Sequence, residues 1–141
     1  MTQLVALMAA ATLALIALVH AYWGLGGRVA KSAALPEVDG KAAFTPRGSL
    51  TLVVAAALVS AALLIAITGG VLSLPVPRAL ARGLTGLLAL VFIARAVGDF
   101  RLVGFFKRVR GTRFARLDSA VYAPLCLVLG VAAAWVAGDA P

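Results

Sequence analysis

Ionisable and hydrogen-bonding side chains lie at the ends of long apolar segments in this 141-residue chain. Arginine and lysine pair with phosphate or carboxylate groups, and a histidine near carboxylates can transfer protons. The pattern favours a site that holds a phosphate-bearing ligand. An acid–base site that uses His20 or Asp99 together with Asp118 stays open as an alternative. The candidate residues are His20, Arg95, Asp99, Arg101, Lys107, Arg108, Asp118 and Tyr122.

Arg95 and Asp99 are four residues apart and share a helix face if the helix continues that far, so Asp99 can pair with Arg95 or with another arginine. Ionisable groups near membrane depth are costly, so they tend to pair or to face a cavity. A purely structural interpretation is equally consistent with the sequence. In that interpretation Arg95 and Asp99 fasten helix ends, and Asp118 or Ser119 caps the N-terminus of the following helix.

Residues 105–116 read FFKRVRGTRFAR and interleave aromatic with cationic side chains. Such a segment can lie in the membrane plane, with Phe105, Phe106 and Phe114 in the acyl boundary and the cations on phosphates. The same charges are also typical of a basic loop that sets topology and holds no ligand. We expect no nucleic-acid partner, because no element for reading base edges is evident.

Histidine and cysteine usage bears on metal and cofactor chemistry. His20 is the only histidine and Cys126 the only cysteine, so the chain has no CxxC pair and no second histidine for haem or metal ligation. The glycines of Gly24–Gly27 lack the GK[ST] or GxGxxG pattern of a phosphate loop. We therefore expect no cofactor and no metal site, and nothing in the sequence favours an enzyme.

Four uncharged or nearly uncharged apolar runs must position these residues, at about 4–23, 49–72, 78–98 and 119–137. Apolar residues make up 63% of the chain, more than a short soluble domain can bury. Each run approaches the roughly 20 residues that cross a bilayer core as a helix. The sequence thus predicts an all-α membrane protein, a four-transmembrane-helix bundle that forms a single domain over residues 1–141.

Small residues mark the places where these helices could pack closely, because lipid removes the usual hydrophobic driving force between them. The candidates are Ala57, Ala61, Gly83, Gly86, Gly130 and Ala134.

The distribution of the net charge of +8 predicts the orientation of the chain. Most cations fall in the loops after the first and third runs, and such loops face the cytoplasm under the positive-inside rule. Both termini would then lie outside. Arg78 and Arg82 near the second loop run counter to this rule, but they are outnumbered.

Several segments together resemble a family of small bacterial four-helix membrane proteins that is catalogued as a domain of unknown function. The resemblance covers nearly the whole chain and implies a multi-pass protein of the bacterial inner (cytoplasmic) membrane. It implies no activity. The segments that carry it are His20–Gly27, Phe44–Pro46, Arg95–Arg101, Gly104–Lys107, Phe114–Asp118 and Tyr122–Cys126.

Four functional classes remain open from sequence. The favoured one is binding of an anionic lipid or phosphate-bearing ligand on the cytoplasmic side, with membrane lipids as partners. The alternatives are an accessory or structural subunit of a larger membrane complex, and a small transporter that works as a homo-oligomer. The least specific alternative is an intramembrane enzyme on lipid substrates that uses the acid–base site described above. The carboxylates all lie at loops or helix ends, which argues against proton coupling through a mid-membrane acid.

Overall fold

Four long helices form the framework of the computed structural model, which describes residues 1–139. Each is long and apolar enough to cross a membrane. The prediction of an all-α, four-helix membrane bundle is therefore confirmed, and the chain is a multi-pass membrane protein. The helices are α1 (Thr2–Gly24), α2 (Gly48–Thr68), α3 (Arg78–Val97) and α4 (Arg113–Asp139).

The interior of the bundle consists mainly of alanine, whereas large aliphatic side chains cover the outside. Ala6, Ala89 and Ala133 are buried, while Leu18 and Leu90 are exposed. This distribution suits a lipid solvent, in which association depends on close backbone approach rather than on removing large apolar side chains from water.

Two of the predicted contact residues are correct and four are wrong. Ala61 is buried, and a Cβ on Gly130 would press against Ile93 and the Ala89 carbonyl group. The other four face away from the neighbouring helices, so no helix packs closely against them. They are Ala57, Gly83, Gly86 and Ala134.

Helices that are adjacent in sequence pack against each other, in two close pairs: α1 with α2, and α3 with α4. At one end of the bundle, the terminal end, the Thr2 hydroxyl donates to the Asp139 carboxylate, and the Gln3 amide donates to the Gly70 carbonyl at 3.2 Å. At the other end, the loop end, the Tyr122 hydroxyl donates to the Ala33 carbonyl at 3.2 Å. Both long loops therefore lie at the loop end.

At the terminal end, α2 ends at Thr68, four residues before the predicted end of the second apolar run at about residue 72. Gly70 has φ +72° there, and the Val71 N–H donates back to the Ala66 carbonyl at 2.9 Å, an arrangement that closes a helix C-terminus. The Arg82 guanidinium donates to the Ala137 and Gly138 carbonyls, both at 2.9 Å. Arg82 thus caps α4, which gives it a structural role at this end.

The last helix has three parts: α-helix over Arg113–Leu117, a wider π-helical turn over Asp118–Tyr122, and α-helix over Ala123–Asp139. Thr112 is the N-cap and accepts from the Ala115 N–H at 3.0 Å, so the expected cap by Asp118 or Ser119 is wrong. We attribute the π turn to Pro124, which lacks an N–H and whose ring would clash with a carbonyl of the preceding turn in a regular α-helix.

The first loop contains a short 3₁₀ helix at Lys31–Ala34 and a hairpin of β1 (Glu37–Val38) and β2 (Lys41–Ala42). The strands are antiparallel. Asp39 and Gly40 between them both have positive φ, as a type I′ turn requires.

Candidate functional site: an ion cluster at the loop end

The Asp118 carboxylate is completely buried at the loop end and joins three segments of the chain. Its Oδ1 accepts from Arg95 Nη2 on α3 at 2.8 Å. Its Oδ2 accepts from the Gly104 N–H at 2.7 Å and from Lys107 Nζ at 3.0 Å, both in the loop between α3 and α4. We call Arg95, Lys107 and Asp118 the ion cluster.

Lys107 is only 3% exposed, and its ammonium group is fully engaged by the protein. Besides Asp118, it donates to the Gly104 carbonyl at 2.8 Å and to Ser119 Oγ at 2.7 Å. These three acceptors match the three N–H donors of a lysine. Lys107 therefore fixes the loop against α4 and has no donor left for a ligand.

Arg95 is the accessible member of the ion cluster, with 33% of its side chain exposed. Its Nη1 atom is buried and has no hydrogen-bond partner within residues 1–139. Two cations share a single carboxylate, so the ion cluster carries one positive charge in excess. Because screening is weak away from bulk water, this excess attracts an anion.

Asp99 organises the loop rather than the ion cluster. Its Oδ1 accepts the backbone N–H groups of Arg101, Leu102 and Val103 at 2.9, 2.7 and 3.0 Å. Partial burial works to raise the pKa of Asp99, but these backbone hydrogen bonds outweigh it and hold the pKa below its ordinary value of 3.8.

The expectation that Arg95 and Asp99 share a helix face is wrong. The helix ends at Val97, and Gly98 has φ +94°, so Asp99 leaves the helix face that carries Arg95. Arg95 reaches Asp118 instead.

Close backbone contact makes the loop compact. Gly98 and Gly104, with φ +94° and +86°, approach so closely that a Cβ on Gly98 would overlap the backbone of Val103 and Gly104. Phe100 adopts φ +61°, which is a strained conformation for a bulky side chain. The backbone hydrogen bonds to the Asp99 carboxylate stabilise the turn that keeps Phe100 in this conformation.

The outer surface of this loop carries aromatic and cationic side chains. Phe100 and Phe106 are 56% and 62% exposed, with ring centroids 6.4 Å apart. Arg101 and Arg108 are exposed, and their side chains make no hydrogen bond or salt bridge within the described part of the chain. We call these four residues the Arg–Phe face.

The remaining candidates, His20 and Tyr122, lie outside the ion cluster. His20 Nδ1 hydrogen-bonds to the Ile16 carbonyl at 2.8 Å, and its ring contacts Trp23 edge-on at 5.3 Å. Tyr122 ties the first loop to α4 through Ala33. No group of three or more His, Cys, Asp or Glu side chains in residues 1–139 could hold a metal ion.

Two members of the site were missed from sequence, the Gly104 N–H and the Ser119 hydroxyl. Both contact the ion cluster through a single atom and have no charge of their own. The one available signal was the position of Ser119 directly after Asp118.

A family model matches residues 13–133, which include all three loops and every residue of the ion cluster. The chain belongs to the DUF3995 family of proteins of unknown function. This confirms the resemblance to an uncharacterised family. No curated protein and no solved structure matches the chain. The family has no assigned activity.

Proposed function

We propose that this membrane protein binds the headgroup of an anionic phospholipid at its loop end. The observation that carries the proposal is the charge of the ion cluster: Arg95 and Lys107 share only Asp118, and the excess positive charge lies beneath a loop with further exposed arginines. Arginine suits this ligand because its planar guanidinium group matches two phosphate oxygens at once.

The residues divide into those that contact the headgroup and those that position the contacts. Arg101 and Arg108, with the exposed part of Arg95, contact the phosphate. Lys107 and Asp118 are buried and saturated, so they hold the loop in place.

Phe100 and Phe106 insert at the boundary between headgroups and acyl chains, where exposed aromatic rings are stable. They keep the arginines of the Arg–Phe face at headgroup depth. This arrangement explains why a loop would retain a strained Phe100 on its surface.

The orientation belongs to the same proposal. With the loop end in the cytoplasm of a bacterial cell, the Arg–Phe face meets the cytoplasmic leaflet of the inner membrane, which carries the negative surface potential. Arg82 caps α4, which accounts for its position at the terminal end. Of the two cations that run counter to this orientation, only Arg78 then remains as an exception.

Native mass spectrometry in a mild detergent tests the binding. The protein is equilibrated with equal amounts of phosphatidylglycerol and phosphatidylcholine of identical chains. We expect wild type to retain phosphatidylglycerol preferentially. The Arg101→Ala/Arg108→Ala double variant should bind it about 25-fold more weakly at the loop end, at about 1 kcal/mol for each cation near the surface.

The control is Arg78→Ala, which removes an exposed cation at the terminal end. It should retain phosphatidylglycerol as wild type does. Equal retention of both lipids by wild type, or an unchanged preference in the double variant, would overturn the proposal.

A further inference from the structure

A separate cleft of about 370 Å³ opens between α1, α2 and the first loop. Its walls are mainly apolar and include Leu35, Phe44, Leu50 and Val54. None of the residues that line it belongs to the ion cluster or to the Arg–Phe face. Since α1 and α2 cross the membrane and the loop lies beyond them, the cleft sits at headgroup depth.

Two of the four polar side chains that line the cleft have all their donors engaged within the protein. The Trp23 indole N–H donates to the Val29 carbonyl at 2.8 Å, and the Thr51 hydroxyl donates to the Arg47 carbonyl at 3.2 Å. These groups therefore have no donor to offer a ligand.

Two groups in the cleft keep free hydrogen-bonding capacity. His20 Nδ1 faces the Ile16 carbonyl, which can only accept, so the neutral ring carries its proton on Nδ1. Its Nε2 is then an acceptor, with no partner among residues 1–139. Lys31 Nζ likewise makes no hydrogen bond or salt bridge in this part of the chain.

An occupant that matches this cleft has an anionic group for Lys31, a hydroxyl donor for His20 and an apolar chain for the walls. We infer that the cleft seats one anionic glycerophospholipid whose headgroup carries a free hydroxyl, as in phosphatidylglycerol. Its phosphate pairs with Lys31 Nζ, a headgroup hydroxyl donates to His20 Nε2, and the start of an acyl chain follows Phe44, Leu50 and Val54.

The headgroup chemistry distinguishes this lipid from its relatives. Phosphatidylcholine has neither a net negative charge nor a headgroup hydroxyl. Phosphatidylmethanol is a phosphodiester with the same single negative charge as phosphatidylglycerol but without a headgroup hydroxyl. The cleft therefore predicts the order phosphatidylglycerol, then phosphatidylmethanol, then phosphatidylcholine.

Tryptophan fluorescence can test this inference, because the chain has two tryptophans and one of them lines the cleft. Trp135→Phe leaves Trp23 as the reporter of the cleft. Trp23→Phe leaves Trp135, which is exposed on α4 and reports the surrounding lipid. Each protein is reconstituted into phosphatidylcholine vesicles that contain a small fraction of one lipid with brominated acyl chains, which quench a tryptophan on contact.

We expect phosphatidylmethanol to occupy the cleft, and so to quench Trp23, at about one-fifth of the mole fraction that phosphatidylcholine requires, the factor expected for one cation. Phosphatidylglycerol should need a lower mole fraction still, because its hydroxyl adds a hydrogen bond to His20. Trp135 should show no such preference. Lys31→Met should abolish the preference for phosphatidylmethanol and weaken that for phosphatidylglycerol about fivefold, and His20→Phe should lower phosphatidylglycerol to the level of phosphatidylmethanol.

Three outcomes would overturn the inference. They are equal quenching of Trp23 by phosphatidylglycerol and phosphatidylcholine, equal quenching by phosphatidylglycerol and phosphatidylmethanol, and a preference for phosphatidylmethanol over phosphatidylcholine that survives Lys31→Met. Unchanged quenching of Trp135 verifies that each variant is folded in the membrane. The Arg101→Ala/Arg108→Ala variant should keep the preference at Trp23, so failure of the proposed function and failure of this inference are distinguishable.

Discussion

Replacing Asp118 with asparagine removes the only negative charge of the ion cluster while keeping the shape of the side chain. Lys107 is then a buried cation without a counter-ion, and Arg95 loses its partner as well. Breaking a buried ion pair costs about 3–5 kcal/mol. Because Arg95 is partly exposed and can recover solvation, we expect Asp118→Asn to lie at the lower end, at about 3 kcal/mol.

The measurement is reversible unfolding in mixed micelles with a rising fraction of denaturing detergent, followed by circular dichroism. Asp39→Asn is the matched control, since Asp39 lies in an exposed turn of the first loop. A surface change of this kind should alter the free energy of unfolding by no more than about 0.5 kcal/mol.

Lys107→Met provides a second arm of the same experiment. Combined with Asp118→Asn, it removes both charges of the buried pair, so the double variant should lose less stability than the sum of the two single losses. We expect a coupling of about 1–3 kcal/mol, as for residues in one hydrogen-bonded network. The conclusion that the ion cluster stabilises the fold would be refuted if Asp118→Asn lost no more stability than Asp39→Asn, or if the losses of the two single variants were strictly additive in the double variant.

Three further changes probe other parts of the fold. In the same unfolding assay, Gly98→Ala should destabilise the protein by about 1–3 kcal/mol, because the new Cβ would overlap the backbone of Val103 and Gly104. Gly83→Ala should not destabilise it, because the space around Gly83 is open. In amide NMR spectra of the loop after α3, the Asp99 carboxylate should titrate below 3.8, because its pKa is lowered. The loop should then be ordered above the ordinary carboxyl pKa and lose order as the pH falls through the lower pKa; a midpoint above 3.8 would contradict this. Thr68→Val should lower the free energy of unfolding by about 0.6 kcal/mol, because it removes the 2.8 Å hydrogen bond between the Thr68 and Thr85 hydroxyl groups. An equal loss in a Thr85→Val background would show that this hydrogen bond contributes nothing.

Sequence was sufficient for the helices because their signal is local. A long uncharged run has one stable form in lipid, so four runs predicted four helices. The exact ends were harder to predict, since they depend on turn chemistry: α2 stops at the Gly69-Gly70 pair, and α4 begins at the Thr112 cap.

The partners of the charged residues could not be read from sequence, because they depend on the path of a loop. The spacing of Arg95 and Asp99 predicted a shared helix face on the assumption that α3 continues. The positive φ of Gly98 ends that helix, and the π turn near Pro124 sets the direction in which Asp118 points. Whether the loop then brings Gly104 and Lys107 to Asp118 depends on contacts between the loop and α4, which no local pattern specifies.

Charge counting predicted that cations gather at one end of the bundle, but it could not assign them individual roles. Lys107 was predicted to contact a ligand, but it is buried and stabilises the loop. Arg82 looked like an exception to the charge rule and caps α4. The sequence therefore indicated the region of the candidate site more reliably than the roles of its members.

The proposal that the loop end binds anionic headgroups is tested most directly by stabilisation with added lipid. A ligand that binds only the folded state raises the melting temperature with concentration. In a neutral detergent, phosphatidylglycerol should raise the melting temperature of wild type above the value with phosphatidylcholine of matched chains. The rise should be smaller in Arg101→Ala/Arg108→Ala and unchanged in Arg78→Ala. Equal melting temperatures of wild type in the two lipids, or an undiminished rise in the double variant, would contradict it.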